Sequence, residues 1–128
     1  MNKTILLMAF SLLSLFSCKT EKESFTSLSV EAFAEFIQKE EVQLLDVRTP
    51  DEFSEGHIHG AVNIDVNAEG FEQEAIKQLN KEKPVALYCR SGVRSKKAAG
   101  ILYEKGYKVY ELDKGFLSWQ SAGNEISK

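Results

Sequence analysis

From Leu28 onward, apolar positions along the 128-residue chain follow two alternating rhythms. Val30, Phe33, Ala34 and Ile37 fall at i, i+3, i+4 and i+7, one face of a helix that Ser29 can cap. Val42 to Val47 is a short apolar run that predicts a buried strand. Thr49, Pro50 and Glu52 then make a capping-box signature with proline at the first helical position, and Gly56 ends that helix early. Ala61 to Ile64 predicts a second strand, and Phe71, Ala75, Ile76 and Leu79 line one face of a further helix. Pro84 to Cys89 predicts a third strand, Lys96 to Gly106 a helix with a glycine stop, and Tyr107 to Leu112 a last strand. Lys114 to Gly123 closes the pattern as a short helix or turn. Short apolar strands between helices predict an α/β domain with a mainly parallel sheet, in which ligands bind at the carboxyl ends of strands.

The N-terminal pattern is different. A basic start at Lys3 precedes an apolar run, Ile5 to Phe16, that is shorter than the roughly 20 residues of a membrane span and suits a signal peptide. The run ends in Leu15 to Cys18, which resembles the lipobox of bacterial lipoproteins, whose cysteine is lipidated and becomes the mature N-terminus. That resemblance implies a signal peptide over 1–17 and a polar tether over 18–27 carrying lipid on Cys18. It implies export and membrane attachment at the periplasmic face or cell surface. An ordinary secretory signal or an uncleaved anchor, with Cys18 incidental, is the alternative. The domain is then 28–122, with a C-terminal tail over 123–128. A net charge of −3 gives no electrostatic footprint for nucleic acid. With Cys18 lipidated, Cys89 has no partner for an intramolecular disulfide; a Cys18–Cys89 bridge would staple a tether with no evident need of one.

A lone thiol in an exported chain draws attention to its setting, Tyr88 to Ser95, which reads YCRSGVRS. Cys89 ends a strand, and a helix begins a few residues later. Backbone N–H groups of such a loop can converge into an anion-binding nest, and the helix adds the positive end of its dipole. Gly92 permits a left-handed turn, and Arg90 and Arg94 add positive charge near the sulfur. Settings of this kind favour thiolate and lower a cysteine pKa from about 8.5 to about 3.5–7.5. The same cradle suits a substrate that carries negative charge.

Three stretches carry a resemblance to the single-domain rhodaneses, which are sulfurtransferases. They are Leu44 to Ile64 (LLDVRTPDEFSEGHIHGAVNI), the YCRSGVRS loop, and Gly106 to Trp119 (GYKVYELDKGFLSW), where Lys114-Gly115 stands at a family glycine pair. The resemblance spans roughly Leu28 to Ala122. It implies a three-layer domain with helices flanking the sheet. It also implies that Cys89 takes up sulfane sulfur as a persulfide from a small anionic donor and passes it to a thiol or cyanide acceptor. Arg90, Ser91, Gly92, Val93, Arg94 and Ser95 would then form the substrate-binding loop. No cofactor is expected. The spacing separates a rival chemistry: Arg94-Ser95 follows Cys89 one residue sooner than in the protein tyrosine phosphatases. In the family, a six-residue loop such as Cys89 to Arg94 goes with sulfur transfer, and a longer one with phosphatases and arsenate reductases.

Around this centre the plainer roles dominate. Asp46 and Arg48, just past a strand end, are expected to form an internal ion pair that positions loops, in preference to facing substrate. His57 and His59 lack the further ligands a metal needs, so no metal is expected. Phe116 and Trp119 suit the core. Ser91 and Ser95 can donate to a persulfide, and Ser95 is expected to cap the helix. A non-catalytic rhodanese-like binding module is the competing class; such modules commonly lack the cysteine, and this chain has it. A thiol redox role would call for a resolving cysteine.

Overall fold

The computed structural model describes residues 24–128. The elements run β1 (Thr26–Leu28), α1 (Val30–Phe36), β2 (Gln43–Asp46), α2 (Pro50–Glu55), β3 (Val62–Asn63), α3 (Phe71–Gln78), β4 (Val85–Tyr88), α4 (Val93–Glu104), β5 (Val109–Leu112) and α5 (Gly115–Ser121). The strands form one five-stranded sheet in the order β1-β5-β4-β2-β3, with every neighbouring pair parallel. All carboxyl ends therefore lie along one edge.

The central strand β4 is buried on both faces, which is why its sequence is continuously apolar. Its side chains alternate between two cores, as the pleat requires. Val85, Leu87 and Cys89 join Phe71, Ala75, Ala98 and Leu102 of α3 and α4 on one face. Ala86 and Tyr88 join Phe33, Phe116 and Trp119 of α1 and α5 on the other. The result is a three-layer α/β domain. Cys89 thus continues the alternation of the strand.

The helix signals work as their chemistry dictates. Ser29 Oγ accepts the Ala32 N–H at 3.2 Å and caps α1. Thr49 and Glu52 form the reciprocal capping box of α2, with Pro50 at its start. Two boundaries differ from expectation. The helix after Cys89 begins at Val93 instead of Lys96, because Gly92 in the left-handed region serves as its N-cap. Thr26–Leu28, assigned largely to the tether, pairs in register with Tyr110–Leu112 as an edge strand. Ser27 Oγ hydrogen-bonds the Glu111 carboxylate beneath it.

Residues beyond α5 are held against the domain. His57 and Ser127 exchange backbone hydrogen bonds at 2.9 and 2.8 Å, and the Trp119 indole donates to the Glu125 carbonyl at 2.9 Å. The expected signal peptide and Cys18 lie outside the described residues. No described helix is long and apolar enough to cross a membrane.

Candidate active site

Cys89 follows β4 directly, at the carboxyl edge of the sheet, and carries a free thiol with 1% exposure. The Gly92 N–H donates to its Sγ at 3.1 Å. Gly92 has φ +110°, and a Cβ there would overlap the carbonyl oxygen of Asp113. Only glycine fits both the backbone angle and the space. The 12-residue α4 starts at the next position, with no side chain capping its N-terminus. No side chain takes up the first-turn N–H groups, and the N-cap residue Gly92, at the positive end of the helix dipole, is the one that contacts the sulfur.

The other half of the loop backbone faces α5. Phe116 and Leu117 donate their N–H groups to the carbonyls of Cys89 and Arg90 at 2.8 and 3.0 Å. Gly115, at φ +74°, sits so close that a Cβ would overlap the Arg90 carbonyl. The Cys89 and Arg90 carbonyls are thereby satisfied by α5. Gly115 is the one glycine kept at the expected pair, and it is the one this contact demands.

The predicted residues separate into three groups. Arg90 and Ser91 are exposed, and Val93 is 77% exposed. Arg94 is half-buried, and its guanidinium meets Glu52 in a fork, Nη1 to Oε1 at 2.8 Å and Nη2 to Oε2 at 3.0 Å. The Glu52 hydrogen bonds are the largest cause holding Arg94 above its ordinary pKa, with smaller contributions from the charges of Glu52, Cys89 and Asp65. The same pairing, with help from the Thr49 N–H and hydroxyl and against the cost of burial, pulls the Glu52 carboxyl down to about 2. Ser95 does not cap the helix. It is fully buried in the first turn, and its Oγ donates to Glu111 Oε1 at 2.7 Å.

Asp46 and Arg48 form a buried ion pair, Nη2 to Oδ2 at 2.6 Å and Nε to Oδ1 at 2.9 Å. Arg48 also donates to the Gly56 carbonyl at 2.7 Å and lies over the Phe116 ring at 4.3 Å. Burial works against the Arg48 cation, and the hydrogen bond and charge of Asp46 outweigh it, leaving its pKa raised. Tyr88 is pushed up by burial first and by Asp46 second, and its hydroxyl accepts the Ile58 N–H at 3.0 Å. A cleft of about 220 Å³ opens here, lined by Arg48, Glu52, Glu55, Arg90, Phe116 and Leu117. This cleft meets the Cys89 loop at Arg90, whereas a larger depression of about 760 Å³, near Ile64 and Phe71, includes no residue of that loop.

Two participants were not singled out in the sequence. Glu52 was legible as a cap, but its second role joins positions 42 residues apart. Glu111 is buried under the start of α4, with Ser27, Ser95 and Lys96 as partners. Its one signal is a carboxylate within the otherwise uncharged β5. His57 lies flat on Phe53, with ring centroids 3.8 Å apart, and His59 contacts Ser127. Among the described residues, no group of three or more His, Cys, Asp or Glu side chains is placed to hold a metal.

A family model for the rhodanese-like domain matches residues 29–122. The chain belongs to the rhodanese-like family. The thiosulfate sulfurtransferase GlpE of Shewanella oneidensis is 37% identical over 100 residues, covering 77% of this chain and 96% of that protein. The uncharacterized protein YqhL of Bacillus subtilis is 35% identical over 116 residues, covering 90% of this chain and 88% of that one. Among solved structures, a rhodanese-related protein from Thermoplasma volcanium aligns with a TM-score of 0.71 at 28% identity, covering 80% of this chain and 98% of that one. Reduced Bacillus anthracis CoADR-RHD aligns over 81% of this chain but only 18% of that larger chain, with a TM-score of 0.70 at 28% identity.

Proposed function

We propose that this rhodanese-like protein is a sulfurtransferase that carries sulfane sulfur on Cys89. The observation that supports this most is the meeting of the Cys89 sulfur, the Gly92 N–H and the uncapped start of α4 at the carboxyl end of the central strand. Relatives named thiosulfate sulfurtransferase support the same class. In the first step the Cys89 thiolate attacks the outer sulfur of the donor. With thiosulfate, the S–S bond breaks, sulfite leaves with the electron pair, and Cys89 becomes a persulfide. In the second step a thiolate or cyanide attacks the terminal sulfur, leaving as a persulfide or thiocyanate and restoring the Cys89 thiolate. The Gly92 N–H and the α4 dipole stabilise negative charge on sulfur in both states.

Intact-mass measurement tests the reading. Thiosulfate alone should add one sulfur atom to the protein, and cyanide or a thiol should remove it. Cys89→Ser should remain folded and form no adduct. Cys89-dependent hydrolysis of a phosphate ester or reduction of arsenate, with no sulfur adduct from any donor, would replace this reading with the rival one. A folded protein with neither activity would be a binding module.

The export reading joins the proposal on the strength of the sequence pattern at Ile5 to Cys18. Cys18→Ser should move the protein out of the membrane fraction while sulfur transfer persists. A variant still membrane-bound, with its apolar run uncleaved, would make that run the anchor.

A further inference from the structure

The loop sequence promises two arginines to an incoming anion, and the structure delivers them unequally. Among the cations at this edge, Arg48 is held by Asp46, and Lys96 by Glu111 and Asp113. Arg94 is held by Glu52. Arg90 is exposed on the cleft and makes no ion pair among the described residues. The two oxygens of Glu52 divide their work. Oε1 accepts the Thr49 N–H and hydroxyl, both at 3.1 Å, along with Arg94 Nη1. Oε2 accepts Arg94 Nη2. The helix cap therefore uses one oxygen, and it accounts for neither the second oxygen nor the charge. A carboxylate in contact with a guanidinium reduces a full charge to a short dipole, whose field fades faster with distance. Coulomb energy scales with ligand charge, so the loss falls twice as heavily on a dianion as on a monoanion.

We propose that Glu52 is a positioning and specificity residue for the Cys89 site: it fixes the Arg94 fork and cancels its charge, so the site holds dianions such as thiosulfate weakly and gives singly charged sulfur donors, such as organic persulfides, a relative advantage. The choice of sulfur donors rests on the sulfurtransferase reading; the anion selectivity itself does not.

The test is calorimetric titration of the full chain carrying Cys89→Ser, so that no chemistry follows binding, with inorganic thiosulfate and with the monoanion thiocyanate. Glu52→Gln retains an oxygen for the cap and removes the charge. It should tighten thiosulfate binding about three- to tenfold at low salt, with a smaller gain for thiocyanate. The gain should shrink at high salt, and the double variant Glu52→Gln with Arg94→Ala, which removes both charges of the pair, should bind close to the parent. Thr49→Ala, which weakens the cap and keeps the carboxylate, should give no such tightening. Arg94→Ala on its own leaves the Glu52 charge uncancelled and should weaken thiosulfate binding more than thiocyanate binding, and this arm stands even where the glutamine variant folds poorly. Unchanged or weaker binding in Glu52→Gln, undetectable binding throughout, equal gains for both anions, or a double variant that binds thiosulfate much more weakly than the parent would overturn the proposal. So would unchanged thiosulfate binding in Arg94→Ala alone. The sulfur adduct of the unsubstituted protein decides the sulfurtransferase reading separately: an adduct without the Glu52 effect removes this inference alone, and the effect without an adduct removes the other.

Discussion

Two neighbouring strands, β2 and β4, leave the same edge of the sheet and each runs within a few residues into a helix. The β2–α2 connection uses side chains to cap its helix and to hold its loop. Asp46 accepts both the Arg48 backbone N–H at 3.0 Å and its guanidinium, and Thr49 and Glu52 cap α2 reciprocally. The β4–α4 connection has no side-chain cap; its N-cap is Gly92, and its one described donor to sulfur is backbone. The comparison teaches how one architecture makes a support and a site from the same part. Side chains that satisfy a helix N-terminus leave nothing for a ligand. A glycine that satisfies only the geometry leaves the helix donors available, and loops on either side must supply the rigidity. Here α5 does so through its bonds to the Cys89 and Arg90 carbonyls.

Substitutions can break this contrast from either side. The largest expected effect is at Arg48. Arg48→Ala leaves Asp46 buried without its cation, and should cost about 3–5 kcal/mol in chemical denaturation. A loss below about 1 kcal/mol would mean that water or a neighbour takes over the carboxylate. Gly92→Ala combines a left-handed backbone with overlap on Asp113, and should cost about 2–3 kcal/mol and abolish the sulfur adduct. Full activity there would show that the loop tolerates another path. Thr49→Ala removes a cap and should cost about 1 kcal/mol, with turnover retained. A matched fall in turnover would make the support part of the site. The mildest effect is on pH dependence. Glu52 is depressed to about 2 in the folded state, from an ordinary 4.5. Its stabilising contribution is therefore present above its unfolded pKa and is lost as pH falls through the folded value. Glu52→Gln should flatten the decline in stability between about pH 5 and about pH 2. Parallel curves for the two proteins would deny the pairing with Arg94.

What the sequence disclosed divides along the same line. The capping box, the strands β2 and β4, and a cysteine at a strand end were legible because each is written in adjacent residues. The Asp46–Arg48 pair is local too, two positions apart. β1 was hidden because Thr26 and Ser27 are exposed on an edge strand, so no apolar alternation marks them; the strand exists through its pairing with β5. Ser95 carried a cap signal, but Gly92 started the helix earlier, and the buried Glu111 captured the hydroxyl from 16 residues away. Arg94 looked like a charge offered to a ligand, since nothing near it in the chain announces Glu52. The site's residue types were readable, and the division of its charges was not, because that division is made by tertiary pairing.

The hydrogen bond from Trp119 to the Glu125 carbonyl turns the C-terminal segment into an optical reporter. The chain has a single tryptophan, so its indole emission comes from one place. That ring is 6% exposed, in the core between α1 and α5, and its N–H is held by the segment that bridges to His57. Undocking of the last residues would bare the indole to water and shift its emission to longer wavelength while the sheet stayed intact. Far-ultraviolet circular dichroism followed alongside that emission would separate fraying of the terminus from unfolding of the domain, without a label or an added residue.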